Sequence, residues 1–423
     1  MILVLVALLA ATRVITLDQA LQTARQQQPQ LRQARANTAA ADARAGQALA
    51  PLLPQVSGTL NYQRTTANAI TAPGQAPVVG SRSGSWDTFN SWSDSVGASQ
   101  LIYDFGSTTG RWRAAKAQAQ SFEATERATA LQVDFNLRSA FFTAQTNRAL
   151  VQVAQENLDN QLKHLEQTQG MVEAGTRAEI DLIQSRTDTA NARVQVIVAQ
   201  NNYETSKVAL NTAMGVLGPT DYDVADVQFD AVQGENATID TLLEEAYKAR
   251  PELQALEEQV RADQLTVRSF QGQYGPALSA NLGFRQGGSS LDNLGWNAFA
   301  GLSLSWNLFQ GGLTRNQVSE AEANVLATVA QLDLQRQTVR SDVDSARLVL
   351  RAAKEALGAT QEALLNARER LRLADERYQV GVGSAIELGD AQVALTQAAA
   401  QAVQADAVLA SARAQLLRAL GRQ

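Results

Sequence analysis

The 423-residue chain carries a net charge of -6 and a single histidine, so it lacks the basic excess that draws a protein to nucleic acid. It has no cysteine, which excludes disulfides, thiolate zinc sites, thiol catalysis and lipid attachment at an N-terminal cysteine. Hydrophobic residues make up 45% but aromatics only 5%, with 8 prolines, and the abundance of Ala, Gln, Arg and Leu favours long helices packed through small side chains over an aromatic core.

The first residues, MILVLVALLAA, form an apolar run followed by Thr12 and Arg13. A helix needs about 20 apolar residues to span a bilayer, so residues 1–11 read as the h-region remnant of a secretory signal. The basic n-region is missing, as expected of a truncated start, and a buried strand or helix is the alternative. No other run of about 18 apolar residues occurs, so a membrane crossing by this chain requires β-strands.

From Leu17 the chain is written twice. LDQALQTARQQQPQL (17–31) matches IDTLLEEAYKARPEL (239–253), at an offset of about 222 that brings Pro29 onto Pro251, Pro54 onto Pro276 and Leu60 onto Leu282. GASQLIYDFGSTTGR (97–111) matches GLSLSWNLFQGGLTR (301–315), and AGTRAEIDL (174–182) matches VGVGSAIEL (380–388). The offset falls to about 204 between the first two blocks, which marks a longer loop in the first copy. The expected organisation is a first repeat over 12–216, an inter-repeat segment over 217–238 and a second repeat over 239–423.

Each copy opens with a short helix, a proline and a second helix (29–50 and 251–273), followed by alternating segments. ALSANLGFR sets Leu278, Ala280, Leu282 and Phe284 against Ser279, Asn281, Gly283 and Arg285, the period of a strand. WNAFAGLSLSWNL does the same with Ala298, Ala300, Leu302 and Leu304, and in the first copy Val56, Leu60 and Tyr62 alternate with Ser57, Thr59, Asn61 and Gln63. The fourth segment (95–103) alternates poorly because Gln100 falls among its apolar positions. A soluble hairpin would explain any one of these. However, two strands alone are marginal in water, and Trp92, Tyr103, Trp296 and Trp306 flank the apolar faces as residues at lipid headgroups do. Four strands cannot close a barrel and open edges are not tolerated in lipid, so several copies must join. A dimer would give eight strands and a trimer twelve, and strand physics prefers neither. Residues 67–90 and 287–295 would be external loops.

Breaker-free stretches follow over 111–173 and 313–379, each about 95–100 Å long as a helix. Heptad positions are held by Val343, Leu350, Leu357, Leu364, Leu371 and Tyr378, with Ala346, Ala353, Thr360, Ala367 and Ala374 between them. Leu137, Ala144, Val151, Leu158, Leu165 and Val172 repeat the pattern in the first copy. Glycine-containing turns lead into returning helices over 179–213 and 386–420.

Little else suggests chemistry. His164 lies among polar neighbours of a long helix and reads as a solvated surface residue. No phosphate-binding glycine loop is present, and adjacent carboxylates such as Glu244 and Glu245 do not share a helix face. No catalytic, cofactor-binding or metal-binding residue is assigned.

Four stretches resemble the TolC-like outer-membrane efflux protein family: LPQV before the first strand, SQLIYDFGSTTGR after the second, SWNLFQGG after the fourth and RYQVGVGSAIELGDA at the second turn. The resemblance covers essentially the mature chain. It implies a mainly α fold with a membrane β-barrel: a homotrimer whose four strands per protomer close a twelve-stranded barrel in outer-membrane lipid, and whose duplicated helices form a long α-helical barrel across the periplasm. An equatorial belt would come from the N-terminus, the inter-repeat segment and the C-terminus. The implied role is a passive exit duct, not an enzyme and without cofactors. It would serve a tripartite efflux pump or a type I secretion system, with a periplasmic adaptor and an inner-membrane pump or ABC transporter as partners. The family places a gate at the periplasmic tips. By motif position, Gly175 and Gly381 are turn glycines, Asp181, Glu387 and Asp390 match tip acids, and Tyr378 matches a tip tyrosine that helps hold the closed state. The chain departs from the pattern at Gly383, where a family member carries an arginine linking neighbouring coils; Arg177, in the other repeat, is the available cation.

Three-fold symmetry would gather Glu387 and Asp390 around one axis, where like carboxylates raise one another's pKa and attract cations. The plainer alternative is that Glu179, Asp181 and Glu387 begin a helix and meet its dipole favourably. Rival readings of the whole chain are a periplasmic adaptor, which should show one hairpin and a membrane anchor, and a coiled-coil scaffold, which leaves the signal and the strands unexplained.

Overall fold

The computed structural model describes residues 13–66, 86 and 88–422. The expected signal remnant at 1–11 and most of the expected loop at 67–90 lie outside the described residues. In chain order the elements are β1 (Arg13–Ile15), α1 (Leu17–Gln27), α2 (Pro29–Leu49), β2 (Gln55–Thr66), β3 (Thr88–Tyr103), α3 (Ser107–Glu173), α4 (Glu179–Met214), β4 (Tyr222–Val224), α5 (Ile239–Ala249), α6 (Pro251–Gly272), β5 (Ala277–Gly288), β6 (Gly295–Ser305), α7 (Leu313–Gln379) and α8 (Ala385–Ala419). The internal duplication is visible in this order: α1, α2, β2, β3, α3 and α4 recur as α5, α6, β5, β6, α7 and α8.

Local signals explain the boundaries. Thr16 caps α1 in a box with Gln19, each side chain bonded to the other's backbone N–H at 3.4 Å. The residues before Pro29 and Pro251 leave the helical region, as a following proline demands, and each proline opens the next helix. With no proline inside them, α3 and α7 each run 67 residues, or about 100 Å. No helix among the described residues is long and apolar enough to cross a membrane.

The chain forms two compact units, each drawing on both repeats. One comprises Asn37–Phe122 and Ala255–Leu332. It holds a four-stranded antiparallel sheet in the order β2-β3-β5-β6, so the two repeats join through β3 and β5, leaving β2 and β6 as the edges. The register gathers most apolar side chains on one face, with Asp94 and Gln286 among them and Phe299 on the other side. Val56 lies opposite Ala98, which lies opposite Leu282, which lies opposite Ala300. Leu278 with Leu304 and Ala280 with Leu302 share that face. The other face carries Ser57, Thr59, Ser95, Asn281 and Ser303, with a 2.7 Å hydroxyl contact between Thr59 and Ser95 and a 2.9 Å bond from Asn281 to Ser303.

The apolar face stands open: Leu60 is 77% exposed, Leu302 70% and Leu304 67%. Ring pairs Tyr62–Trp92 (4.4 Å) and Phe284–Trp296 (6.1 Å) sit toward one end, while Tyr103 and Trp306 mark the other. About ten residues separate Trp296 from Trp306, roughly 33 Å of strand and so roughly 25 Å of height at the tilt of barrel strands, the thickness of a lipid-facing band. The poor alternation of the fourth segment has a local cause. A bulge between Leu101 and Tyr103 returns Tyr103 to the apolar face, and the Gln100 amide donates to the Leu52 and Leu101 carbonyls at 2.9 Å. In the same unit α3 and α6 approach closely through small residues. Ser269 Oγ donates to the Ser107 carbonyl at 2.7 Å, and a Cβ on Gly110 would come within 3.0 Å of Ser269.

The other unit takes the rest of the chain. Its core joins Ile15, Leu17 and Leu21 to Leu137, Phe141, Phe142, Leu210, Tyr222 and Val224. Here β1 pairs in parallel with β4, Ile15 lying opposite Val224. Ion pairs link the start of each repeat to its long helix: Arg25 of α1 to Asp134 at 2.6 Å, and Arg250, between α5 and α6, to Asp342 at 3.0 Å. The upper heptad positions Leu137, Ala144, Val343, Ala346 and Leu350 are buried, whereas Leu158, Leu165, Leu357 and Leu364 are only half-buried.

Candidate functional site

The turns that join α3 to α4 and α7 to α8 have the same construction. Gly175 N donates to Val172 O and Thr176 N to Met171 O, both at 2.9 Å; Gly381 N donates to Tyr378 O and Val382 N to Arg377 O, both at 3.1 Å. These are Schellman closures, and they need a left-handed residue after the helix. Gly175 (φ 73°) and Gly381 (φ 81°) supply it, where any side chain would be strained.

The structure brings Arg177, Tyr378 and Gly383 into one contact. An Arg177 Nη donates to the Gly383 carbonyl at 3.2 Å, and its guanidinium carbon stands 4.4 Å from the centre of the Tyr378 ring. Tyr378 is 1% exposed and packs with Ala374, Leu388, Ala391, Leu371 and Met171. Gly383 is buried, and a Cβ there would meet the Arg377 carbonyl carbon and Tyr378 N at 2.9 Å. In this chain, therefore, position 383 has no room for a side chain, and the cation comes from the other repeat's turn.

The acids are distributed differently. The Ser384 hydroxyl caps α8 by accepting from Glu387 N at 3.0 Å, and the Glu387 carboxylate lies 3.3 Å from Arg377 Nε. Glu179 and Asp181 occupy the first turn of α4, and Asp390 is exposed one turn into α8. Both the dipole-facing positions and the solvent-facing acid are thus present.

His164 corrects the sequence reading. It is half-buried, its ring 5.3 Å from that of Tyr378 at a steep angle. Thr168 Oγ1 lies 3.5 Å from both His164 Nε2 and the Tyr378 hydroxyl. Burial holds the imidazole below its ordinary 6.5, against the pull of Asp188, Asp375 and Asp181 and with a further push from Arg177. Its surroundings mix polar and apolar groups: Thr168 on its own helix, Tyr378 and Leu371 from α7, and Leu388, Gln392 and Leu395 from α8, so most of the contacts that bury it come from other helices.

A sheet with one lipid-compatible face and two unsatisfied edges, carried on duplicated helices of 67 residues, defines an outer-membrane channel protomer that extends into the periplasm. The chain belongs to the outer membrane efflux protein family, whose sequence profile matches residues 20–216 and 242–422. It is 24% identical over 352 residues to the toluene efflux pump outer membrane protein TtgC of Pseudomonas putida, covering 81% of this chain and 70% of that one. It is 25% identical over 402 residues to the outer membrane protein TolC of Escherichia coli, covering 90% and 77%. The fold matches that of the outer membrane protein VceC of Vibrio cholerae with a TM-score of 0.82 at 18% identity, over 96% of each chain. The protein is thus an outer-membrane efflux channel of the TolC-like kind expected from the sequence.

Proposed function

We propose that three copies close their sheets into one twelve-stranded barrel in outer-membrane lipid, with the helices forming a periplasmic α-barrel gated at the turns around Gly175 and Gly381. The observation that carries this reading is that, among the described residues, β2 and β6 are edge strands beside an apolar face on which Leu60, Leu302 and Leu304 are exposed. Unpaired strand edges cost several kcal/mol per group in hydrocarbon, so a closed ring of copies is required. The repeats over 12–216 and 239–423 supply equivalent halves of each protomer, and the segment 217–238 contributes to an equatorial belt, a role supported by the pairing of β1 with β4.

The duct performs no bond chemistry. It serves a tripartite pump or a type I secretion system, with a periplasmic adaptor and an inner-membrane pump or ABC transporter as partners; the TolC and TtgC resemblances support this. At the gate, Arg177, Tyr378 and Gly383 hold the two turns together, while Asp181, Glu387 and Asp390 give the entrance a cation preference. Two measurements test the reading. Outer-membrane fractions should yield heat-modifiable trimers, whereas a water-soluble monomer would refute it. In lipid bilayers, Glu387→Ala with Asp390→Ala should weaken cation selectivity, and unchanged selectivity and opening would remove the acids from the gate.

A further inference from the structure

We propose that His164 is a proton-operated brace of the turn region: neutral, it holds α3 against Tyr378 of α7, and protonated, it lets them part. The inference rests on the gate reading above but concerns a residue outside the motif that defines the gate.

The geometry is specific. His164 Nδ1 is buried and has no hydrogen-bond partner among the described residues, whereas Nε2 faces the Thr168 hydroxyl. The tautomer that fits carries its proton on Nε2, leaving Nδ1 bare. Adding a proton creates an N–H with no acceptor and a charge in a half-buried site, both of which disfavour the packed arrangement. It also puts a second cation against the Tyr378 ring that Arg177 already covers.

The charged surroundings give the protonated ring somewhere to go. Asp181 and Asp188 face it from α4 and Asp375 from α7, while Arg177 opposes it from the turn. Its own helix adds Lys163 and α7 adds Arg368 and Arg372 along the same groove, of about 330 Å³, which Asp375 also lines; α8 contributes only Leu388, Gln392 and Leu395 there. The imidazolium can therefore turn from Tyr378 toward Asp375, the carboxylate that lines the groove, without leaving it. The sign follows from the buried ring. Its pKa lies below 6.5, so the brace is intact above that pH and is lost as pH falls through the lowered value.

The test uses the full-length protein reconstituted in lipid. Hydrogen exchange, corrected for intrinsic rates, is followed over residues 161–171 and 374–391 at about pH 7.5 and about pH 5.5. Protection in the native chain should fall several-fold on acidification. His164→Phe, which keeps a ring against Tyr378 but cannot titrate, should remove that fall, as should His164→Gln, which is less dependent on aromatic packing. Because His164 is the only histidine, its titration is read directly from one imidazole resonance in the unmutated protein. A native chain that keeps its protection, a resonance that titrates at or above the free-histidine value, or an equal acid loss in His164→Phe would overturn the proposal. Ion conductance recorded alongside separates the two ideas: a trimer that never conducts contradicts the duct, while exchange and titration still decide the brace.

Discussion

The Arg177 guanidinium lies 4.4 Å from the centre of the Tyr378 ring and simultaneously donates to the Gly383 carbonyl, so one side chain from the first repeat clasps the turn of the second. A cation over a partly desolvated ring contributes about 1–2 kcal/mol and a hydrogen bond about 1 kcal/mol. Arg177→Ala should therefore loosen the turns by about 2 kcal/mol and raise the open fraction of single channels in lipid bilayers roughly tenfold or more. An open fraction equal to that of the native chain would show that the clasp does not bear on the gate.

Gly383 has no space for a Cβ, which would strike the backbone of Arg377 and Tyr378. Gly383→Ala should shift that backbone and destabilise the turn by about 1–3 kcal/mol, as overpacking does elsewhere. Gly383→Arg, a far larger side chain at the same place, should do so at least as strongly. Faster proteolytic nicking between α7 and α8 reports the effect.

Asp134 is 1% exposed and its partner is Arg25, at 2.6 Å. Removing one member of such a pair leaves a buried charge and costs about 3–5 kcal/mol. Because Arg138 also sits in the field of Asp134, Arg25→Ala should fall toward the lower end, about 3 kcal/mol. Replacing both Arg25 and Asp134 with residues of similar shape should cost less than the single change, and thermal unfolding of both variants measures the difference.

Burial, helped by Glu204, pushes the Tyr222 phenol from 10.0 up to about 12. Tyr203 is also raised, by burial and by its bond to Asp223. A pKa raised on folding means that stability is fully present below the unfolded value and is lost as pH rises through the folded one. Unfolding temperature should therefore decline between pH 10.0 and about 12, and Tyr222→Phe should make that decline shallower. An identical alkaline profile in the variant would contradict the assignment.

The sequence was most legible where a period was strict. Leu278 to Phe284 and Ala298 to Leu304 alternate without a break, and β5 and β6 carry them on one face. The heptads from Val343 to Tyr378 lie within one continuous helix. Legibility failed where the deciding contact is distant in sequence. The pairing of β3 with β5 depends on strands from different repeats, and β1 is three residues long, too short for any period to show. Gln100 masked the alternation of β3 because its amide bonds are made to Leu52 and Leu101. His164 was misread because the groups that face its ring or share its groove, Tyr378, Leu371, Leu388 and Gln392, come from α7 and α8, far away in sequence. The turn glycines were legible through the repeat and the family resemblance, whereas the meeting of Arg177 with Gly383 joins turns about 206 residues apart and leaves no local signal.

The most direct test of the central claim, that one face of the sheet meets lipid in a closed ring of copies, exploits the absence of cysteine. Spin labels are attached singly at Leu60→Cys, Leu304→Cys, Thr59→Cys and Ser303→Cys in reconstituted protein, and their collisions with dissolved oxygen and with a water-soluble nickel complex are compared. Labels at 60 and 304 should meet oxygen and escape nickel, and those at 59 and 303 should do the reverse. Nickel contact at 60 and 304, or shielding of both from either reagent, would contradict the account.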